Sequence, residues 1–280
     1  MKRACAIFFC GCLMLAHAQP LRFPPPQFET NYTRPTTEFP AAAAAWKDWA
    51  DVAALAGALC LAAWFVLRLR SRTAVFWLSI ACLAYFGFVR HGCTCPIGAM
   101  QDVSAAFADR DFRLPATVAL FFALPLAVSL LFGRVFCSGV CPLGAIQDIV
   151  LIRPVRVPAA VQTGLGILPW VYLGAAVLFS SLGGGFIICR FDPFVSFFRL
   201  SGPAGALVSG GVILAVSTVV GRPYCRFVCP YGPLLGLCAR WAWKHAQITP
   251  TTCVDCSLCR NACPFGAILE PAPSGIEERR

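Results

Sequence analysis

Four cysteines near the C-terminus have the spacing of iron–sulfur ligands. Cys253, Cys256, Cys259 and Cys263 form a C-x2-C-x2-C-x3-C run, and Pro264 follows the last of them. This is the bacterial ferredoxin spacing, in which three close thiolates hold one side of a [4Fe–4S] cube and the fourth cysteine serves another cluster. A structural zinc site would more usually pair two C-x2-C units. The run therefore predicts at least one [4Fe–4S] cluster.

The closing phrase of this run, Cys-Pro-x-Gly, recurs at three earlier places. The copies begin at Cys95, Cys141 and Cys229, and the first two extend to CPIGAMQD and CPLGAIQD. Two copies are preceded, four residues earlier, by Cys137 and Cys225. The alternative is that cysteines at i and i+4 simply share a buried helix face. Together with the C-terminal run, the two C-x3-C-P pairs give eight thiols, the number that two [4Fe–4S] clusters require. Which pair cysteine would complete which cluster is left open.

The cysteine motifs lie in a strongly apolar chain. Of its 280 residues, 58% are hydrophobic and 13% are charged, and the mean hydropathy is +0.71. A soluble domain carries about 25% charged residues, so the composition excludes an ordinary soluble enzyme, and it also excludes a disordered chain. The predicted fold class is an all-α membrane protein with about five transmembrane helices. The apolar stretches are residues 49–67, 74–89, 115–133, 164–182 and 204–220.

The remaining segments are arranged around these helices. A signal peptide is predicted because Lys2 and Arg3 precede a short apolar segment and Ala16-His17-Ala18 forms an A-x-A cleavage site. An uncleaved anchor is the alternative. The predicted divisions are a signal peptide (1–18), an extracytoplasmic leader (19–48), a transmembrane domain with two C-x3-C-P loops (49–222) and a small cytoplasmic module of ferredoxin type (223–280).

The basic residues of the loops predict the orientation. Cytoplasmic loops of membrane proteins carry an excess of Arg and Lys. The same bias accounts for the net charge of +10, so we expect membrane lipid, and no nucleic acid, as a partner. The prediction is a multi-pass protein of the bacterial inner (cytoplasmic) membrane whose C-terminus and C-x3-C-P loops are cytoplasmic. The basic regions are Arg68, Arg70 and Arg72; Arg134, Arg153 and Arg156; and Arg222, Arg226, Arg240 and Lys244.

Three other cysteines are predicted to lie on the outer side: Cys93, Cys95 and Cys189. They form either a candidate outer redox site, as a disulfide couple or a metal site, or a structural disulfide and unreactive thiols. His91 beside them could hydrogen-bond a quinone or cap a helix end. A haem relay is nearly excluded, because after signal cleavage only His91 and His245 remain, on opposite sides. No flavin-attachment motif is found in the sequence.

Two longer segments resemble the polytopic ferredoxin family, which includes NosR-type and NapH-type proteins and membrane subunits beside reductive dehalogenases. The segments are Cys189-Arg190-Phe191-Asp192-Pro193-Phe194 and the stretch from Tyr224 to Gly232, YCRFVCPYG. The resemblance implies electron transfer between a quinone or cytoplasmic donor and an extracytoplasmic redox partner. It also implies cluster ligation by the two C-x3-C-P pairs and the C-terminal run. Because the flavin domain of NosR-type proteins has no counterpart in this sequence, a flavoprotein partner is expected on another chain.

The sequence therefore predicts a membrane-bound electron-transfer protein with [4Fe–4S] clusters, expected to be two in number. It is more typical of an electron-transfer subunit of an oxidoreductase system than of a stand-alone enzyme. The alternative is a membrane copper reductase or maturation factor for a respiratory metalloenzyme, since CcoG-type proteins share these motifs and the outer cysteines could handle Cu(I). A redox sensor is a third class, although the sequence shows no output domain.

Overall fold

The structure is a computed structural model of the chain. It describes residues 45–92, 95–109, 113–155, 157–183, 188, 192–199, 204–244, 256, 258, 263, 268–272 and 275–278. The chain divides into two units, residues 1–42 and 43–280, and all described residues belong to the second. The predicted signal peptide lies outside the described residues. So does the predicted leader, apart from its last four residues, which already belong to a helix.

Two long helices open the described part of the chain. Helix α1 spans Ala45–Trp64 and continues as a π-helical segment, Phe65–Leu69. Helix α2 spans Arg72–Cys82 and continues in the same way over Leu83–Val89. The turn between them has Arg70 at φ +47°, and the Ser71 side chain accepts a hydrogen bond from the backbone N–H of Ala74 at 3.3 Å, which caps α2.

The remaining helices comprise longer apolar helices and short helices, and several of both kinds begin at or next to a proline. Proline suits the first turn because it has no N–H to leave unsatisfied. The helices are α3 (Pro96–Ala108), α4 (Ala116–Phe132), α5 (Val135–Gly139), α6 (Pro142–Val150), α7 (Ala159–Leu165), α8 (Leu168–Ser181), α9 (Pro193–Arg199), α10 (Ala204–Ser217), α11 (Pro223–Phe227) and α12 (Tyr231–Arg240).

Three described helical segments are long and apolar enough to cross a membrane: Trp46–Leu69, Arg72–Val89 and Ala160–Ser181. A fourth is added if the bent pair α9 and α10 counts as one span. Each of the five predicted apolar stretches contains a helix. However, α4 has 17 residues and α10 has 14, and at 1.5 Å per residue both are shorter than about 30 Å of hydrocarbon. The count of five spans therefore stays a prediction.

The C-terminal segment contains the only strands among the described residues. Strand β1 (Ile268–Ala272) pairs antiparallel with β2 (Gly275–Glu278), with Ala272 opposite Gly275. The described fold is thus helical with one small hairpin, which adds a detail that the all-α prediction does not include.

The contacts between the helices follow a pattern that occurs twice in the chain. Helix α3 packs against α4 and α8, whereas α6 packs against the π-helical end of α2 and against α10. Helix α9 packs against α10 and the same end of α2, whereas α12 packs against α8 and α4. An exchange of α2 with α4, α3 with α6, α8 with α10 and α9 with α12 converts each of these contacts into another contact of the same set. The packing therefore has the pattern of a pseudo-two-fold internal repeat.

Candidate iron–sulfur site

Five cysteines line one large cavity in the helical unit. The cavity has a volume of about 1410 Å³ and is lined by Cys95, Cys137, Cys141, Cys225 and Cys229. All five are half-buried or buried. They come from the three Cys-Pro-x-Gly copies that precede the C-terminal run, so the structure brings together motifs that are up to 134 residues apart in sequence (229 minus 95).

The repeated phrase positions these sulfurs at helix starts. Cys95 and Cys141 are the residues that precede α3 and α6, and Cys229 lies two residues before α12. Backbone N–H groups of the first helical turn have no partner within the helix and are free to donate to an anionic group. The donors are Ile97 and Gly98 for Cys95, Leu143 and Gly144 for Cys141, and Tyr231 for Cys229.

The glycine of the phrase permits close approach between helix and loop. A Cβ added at Gly144 would lie 3.0 Å from the carbonyl oxygen of Cys137 and 3.2 Å from Nη1 of Arg222. The equivalent Cβ at Gly232 would lie 3.4 Å from the carbonyl oxygen of Cys225. In both copies the backbone of the first cysteine of the pair therefore lies close to the glycine, and both cysteines of each pair line the cavity.

A buried glutamine connects the two C-x3-C-P pairs. Gln147 is fully buried, and its Nε2 donates to the Leu143 carbonyl at 2.7 Å and to Cys225 Sγ at 3.4 Å. Its Oε1 accepts from the backbone N–H of Tyr224 at 3.1 Å. Sequence reasoning missed this residue. The signal that could have found it is the extension of the repeat from Cys-Pro-x-Gly to a closing Gln-Asp.

An arginine fixes the same two loops. Arg222 donates from Nε to Asp148 Oδ1 at 2.7 Å and from Nη2 to Asp148 Oδ2. Its Nη1 donates to the carbonyl of Cys137. This two-point contact with a carboxylate is specific to the planar guanidinium. Arg222 therefore holds the start of α11, the end of α6 and the Cys137 backbone in one arrangement.

The cavity is strongly cationic. Its described lining contains six Arg or Lys side chains and no Asp or Glu: Arg70, Arg134, Arg222, Arg226, Arg240 and Lys244. Burial raises the pKa of the Cys95 thiol to about 12, and burial likewise raises that of Cys141 to about 12. Without a metal these thiols are therefore neutral, and binding one releases their protons. A cationic cavity lined by several thiols suits an anionic group that is bound by several thiolates.

This donor set fits an iron–sulfur cluster better than a single metal ion. Within the described ranges, no three His, Cys, Asp or Glu side chains are placed to hold one ion. Cys137, Cys141, Cys225 and Cys229 supply the four thiolates that a [4Fe–4S] cluster takes. Their spread around a cavity, and not around a point, matches a group of several irons.

The placement of Cys95 corrects the sequence analysis. Cys95 was predicted on the outer side, across the membrane from the C-x3-C-P pairs, but it lines the same cavity as those pairs. The structure therefore does not separate Cys95 from the pairs, because the chain turns back after α2, and the side of the membrane that this region faces stays a prediction. His91 and Gly92 adopt φ values of +51° and +66°, and α3 then starts at the cavity. Cys93 and Cys189 lie outside the described residues, and His91 is exposed.

The C-terminal run is described only in part. Cys256 is exposed and Cys263 is half-buried, and neither lines the cavity. Cys253 and Cys259 lie outside the described residues. Cys263 is near Arg226, which does line the cavity. Ligand sharing between the run and the pairs remains a prediction.

Comparison with known proteins agrees with this chemistry. A family model described as "4Fe-4S binding domain" matches residues 73–115, 114–157 and 202–248, and a second model with the same description matches residues 246–269. The Escherichia coli (strain K12) protein YccM, whose name assigns it provisionally to electron transport, is 34% identical over 65 residues. That match covers 23% of this chain and 18% of YccM. No solved structure gives a significant match.

These matches show what kind of cofactor the chain carries. It has [4Fe–4S]-binding domains at several positions and binds [4Fe–4S] clusters, more than one. It is an iron–sulfur protein of ferredoxin type with helices suited to membrane association. The three matches of the first model contain Cys95, the pair at Cys141 and the pair at Cys229 respectively, in agreement with the internal repeat.

Proposed function

We propose that this chain is a membrane electron-transfer protein with one cluster in the five-cysteine cavity and another in the C-terminal run. The observation that carries the proposal is the cavity itself, in which Cys137, Cys141, Cys225 and Cys229 converge among cationic side chains. Bound there, a [4Fe–4S] cluster supplies one-electron redox chemistry. The four cysteines hold it, the helix-start N–H groups and arginines stabilise its negative charge, and the apolar helices exclude water.

The ligand set favours electron transfer over catalysis. Four cysteines occupy all four cluster positions, so no iron is left open for a substrate. The Gln147 amide donates to Cys225 Sγ, and hydrogen bonds to sulfur tune the reduction potential. The proposed role is therefore a relay, with activity residing in the redox partners.

The direction of the relay and its partners belong to the proposal. A quinone or a cytoplasmic donor would exchange electrons with the C-terminal run, and an extracytoplasmic redox partner or flavoprotein would meet the opposite face. The resemblance to NosR-type and NapH-type proteins supports this arrangement. The basic loops support a bacterial cytoplasmic membrane with the C-terminus inside. The copper-reductase alternative gains no support from the cavity, because six cations disfavour a lone Cu(I) ion.

Metal analysis and low-temperature EPR of anaerobically purified, dithionite-reduced protein test the proposal. We expect at least about eight irons per chain, from two [4Fe–4S] clusters or more. Cys225→Ser should lose about four irons, and Cys256→Ser should lose about four others. Cys60→Ser is the matched control, since Cys60 is exposed on α1. A Cys137→Ala, Cys225→Ala double variant with unchanged iron would contradict the cavity cluster.

Electron transfer is then measured directly. Proteoliposomes containing trapped ferricyanide are given dithionite or a reduced quinol outside. The wild-type chain should reduce the trapped acceptor faster than protein-free vesicles, and Cys225→Ser should not. If Cys225→Ser reduces the trapped acceptor as fast as wild type, the relay role fails even where the cluster is present.

A further inference from the structure

A second polar arrangement beside Cys95 repeats the one around Cys225. Gln101 occupies in CPIGAMQD the position that Gln147 occupies in CPLGAIQD. Gln147 Oε1 accepts from the backbone N–H of Tyr224 at 3.1 Å, and Gln101 Oε1 accepts from the backbone N–H of Ile188 at 3.1 Å. Both glutamines are fully buried. The two amides therefore make the same contact in the two halves of the internal repeat.

The amide nitrogens of the two glutamines differ in their hydrogen-bond partners. Gln147 Nε2 donates to a carbonyl and to Cys225 Sγ, whereas Gln101 Nε2 is buried and has no hydrogen-bond partner among the residues that the structure describes. A buried donor without a partner is rare in folded proteins and calls for an explanation such as an absent ion or ligand. By analogy with Gln147, the acceptor that fits this donor is a sulfur atom.

A buried carboxylate lies in the same region. Asp192 is 4% exposed and precedes Pro193, as Cys229 precedes Pro230. Its carboxylate accepts from the backbone N–H of Phe194 at 2.9 Å and from the Tyr224 hydroxyl at 2.9 Å. No Lys or Arg in the described ranges forms an ion pair with it. Buried charges in proteins are normally paired with a charge or coordinate a metal.

Hydrogen bonds connect Asp192 to the helix that Cys95 begins. The backbone N–H of Asp192 donates to the Ile188 carbonyl at 2.8 Å, and the N–H of Ile188 donates to Gln101 Oε1. Gln101 belongs to α3, and Cys95 is the residue that precedes this helix. When the two halves of the internal repeat are exchanged, α3 corresponds to α6 and α9 corresponds to α12. Cys95 and Asp192, which precede α3 and α9, therefore occupy the places of Cys141 and Cys229. A thiolate and a carboxylate replace two thiolates.

We propose that Cys95, Asp192 and Gln101 form part of a second site in the helical unit that binds a further [4Fe–4S] cluster. Cys95 and Asp192 act as ligands, and Gln101 Nε2 donates a hydrogen bond to a sulfur of the bound group. The inference rests on the proposed function only in taking the four-cysteine cavity as a cluster site. It agrees with the match of the 4Fe-4S binding model to residues 73–115, and it gives roles to Asp192 and Gln101.

A single metal ion fits these residues less well. Cys95 and Asp192 are two ligands, and no group of three lies within the described ranges. The unpartnered amide also needs an acceptor on the bound group itself, which a bare cation lacks and a cluster sulfide supplies. In sequence, Cys189 follows Ile188 as Cys225 follows Tyr224, but Cys189 lies outside the described residues and no placement is assigned to it.

Substitutions at Asp192 separate ligation from helix capping. Asp192→Asn keeps the side-chain shape and an oxygen that caps α9, but removes the anionic ligand. Asp192→Cys supplies a thiolate in its place. Tyr224→Phe is the matched control, because it removes the hydroxyl that donates to Asp192 and leaves the carboxylate. Each full-length variant is purified anaerobically, checked for a single size-exclusion peak, and analysed for iron, sulfide and EPR of the reduced state.

The proposal predicts about twelve irons per chain in the wild type, from three [4Fe–4S] clusters. Asp192→Asn should fall to about eight and lose one EPR component, while Asp192→Cys and Tyr224→Phe stay near twelve. Gln101→Leu should lower the midpoint potential of that same component and leave the others unchanged. If Asp192→Asn does not give a single peak, Asp192→Cys and Gln101→Leu still decide the question through iron content and potential.

Failure of this proposal is distinguishable from failure of the proposed function. About eight irons in the wild type, unchanged in Asp192→Asn and lowered in Cys225→Ser, would overturn the second site and leave the relay intact. Iron unchanged in Cys225→Ser would overturn the cavity cluster itself. An unchanged EPR spectrum and unchanged potentials in Gln101→Leu would overturn the role of its amide.

Discussion

Gln147 Nε2 lies 3.4 Å from Cys225 Sγ, and this contact between residues 78 apart in sequence joins two cysteine motifs. The donor comes from the end of α6 and the sulfur from α11. Because the same amide also accepts from the backbone next to Cys225, the glutamine fixes both the position of the sulfur and its hydrogen bonding. The pairs at Cys141 and Cys229 are therefore connected independently of any bound group.

Replacing Gln147 should change the reduction potential of the cavity cluster. A donor to sulfur stabilises the reduced, more negative state, so Gln147→Leu should lower the midpoint potential. A hydrogen bond worth about 0.5–1.5 kcal/mol corresponds to about 20–65 mV for a one-electron couple. Potentiometric EPR titration measures the shift. Gln162→Leu is the control, because Gln162 lines the cavity and its side chain has no described bond to a sulfur; an equal shift there would contradict a specific effect.

The two glycines of the C-x3-C-P pairs should differ in their tolerance of alanine. Gly144→Ala places a methyl group 3.0 Å from the Cys137 carbonyl oxygen, whereas at Gly232 the nearest atom is at 3.4 Å. Overpacking of this kind costs about 1–3 kcal/mol, so Gly144→Ala should lower the unfolding temperature and the iron content. Gly232→Ala should retain both. Thermal unfolding and iron analysis in detergent check the pair, and Gly174→Ala, which meets no atom within 4 Å, controls for helix propensity. Equal losses at Gly144 and Gly232 would argue against the close-approach explanation.

Arg222 should not be replaceable by lysine. Its guanidinium donates to both oxygens of Asp148 and to the Cys137 carbonyl, and an ammonium group cannot reproduce the planar two-point contact. We expect Arg222→Lys to lose about 1–3 kcal/mol of stability, a range that allows for the 32% exposure of the Asp148 side chain. Guanidine unfolding followed by the visible absorbance of the cluster measures the loss. Arg153→Lys, at an exposed position, should be neutral. Additivity of Arg222→Lys and Asp148→Asn in a double-mutant cycle would exclude the interaction.

The proposed orientation places the C-terminus in the cytoplasm. Green fluorescent protein fused after Arg280 should therefore fluoresce, and alkaline phosphatase at the same position should be inactive, because it needs the oxidising compartment. Phosphatase inserted between Asp109 and Arg113 should be active, since this loop is on the predicted outer side. The opposite pattern of activities would reverse the topology.

The sequence predicts the site well where chemistry is repeated in short motifs. Cys137, Cys141, Cys225 and Cys229 are recognisable from spacing, and the structure places all four in one cavity. The helices α1 and α2 also lie within a few residues of their predicted positions. Hydropathy reports where an apolar stretch ends but not that the chain then turns back, so the sequence does not show that Cys95 shares a cavity with the pairs. The Arg222–Asp148 pair depends on tertiary packing, which no local pattern shows.

The charge of the cavity wall links the fold to iron supply. Six cationic side chains line a space whose thiols are neutral until a cluster binds, and the ion pair of Arg222 with Asp148 offsets only part of their charge. A bound anionic cluster compensates the positive charge of the cavity lining in addition to serving as cofactor. Because the cluster binds the folded chain, it stabilises the folded state by mass action. We expect the cellular abundance of this protein to follow the output of iron–sulfur assembly, with empty chains removed by membrane proteolysis.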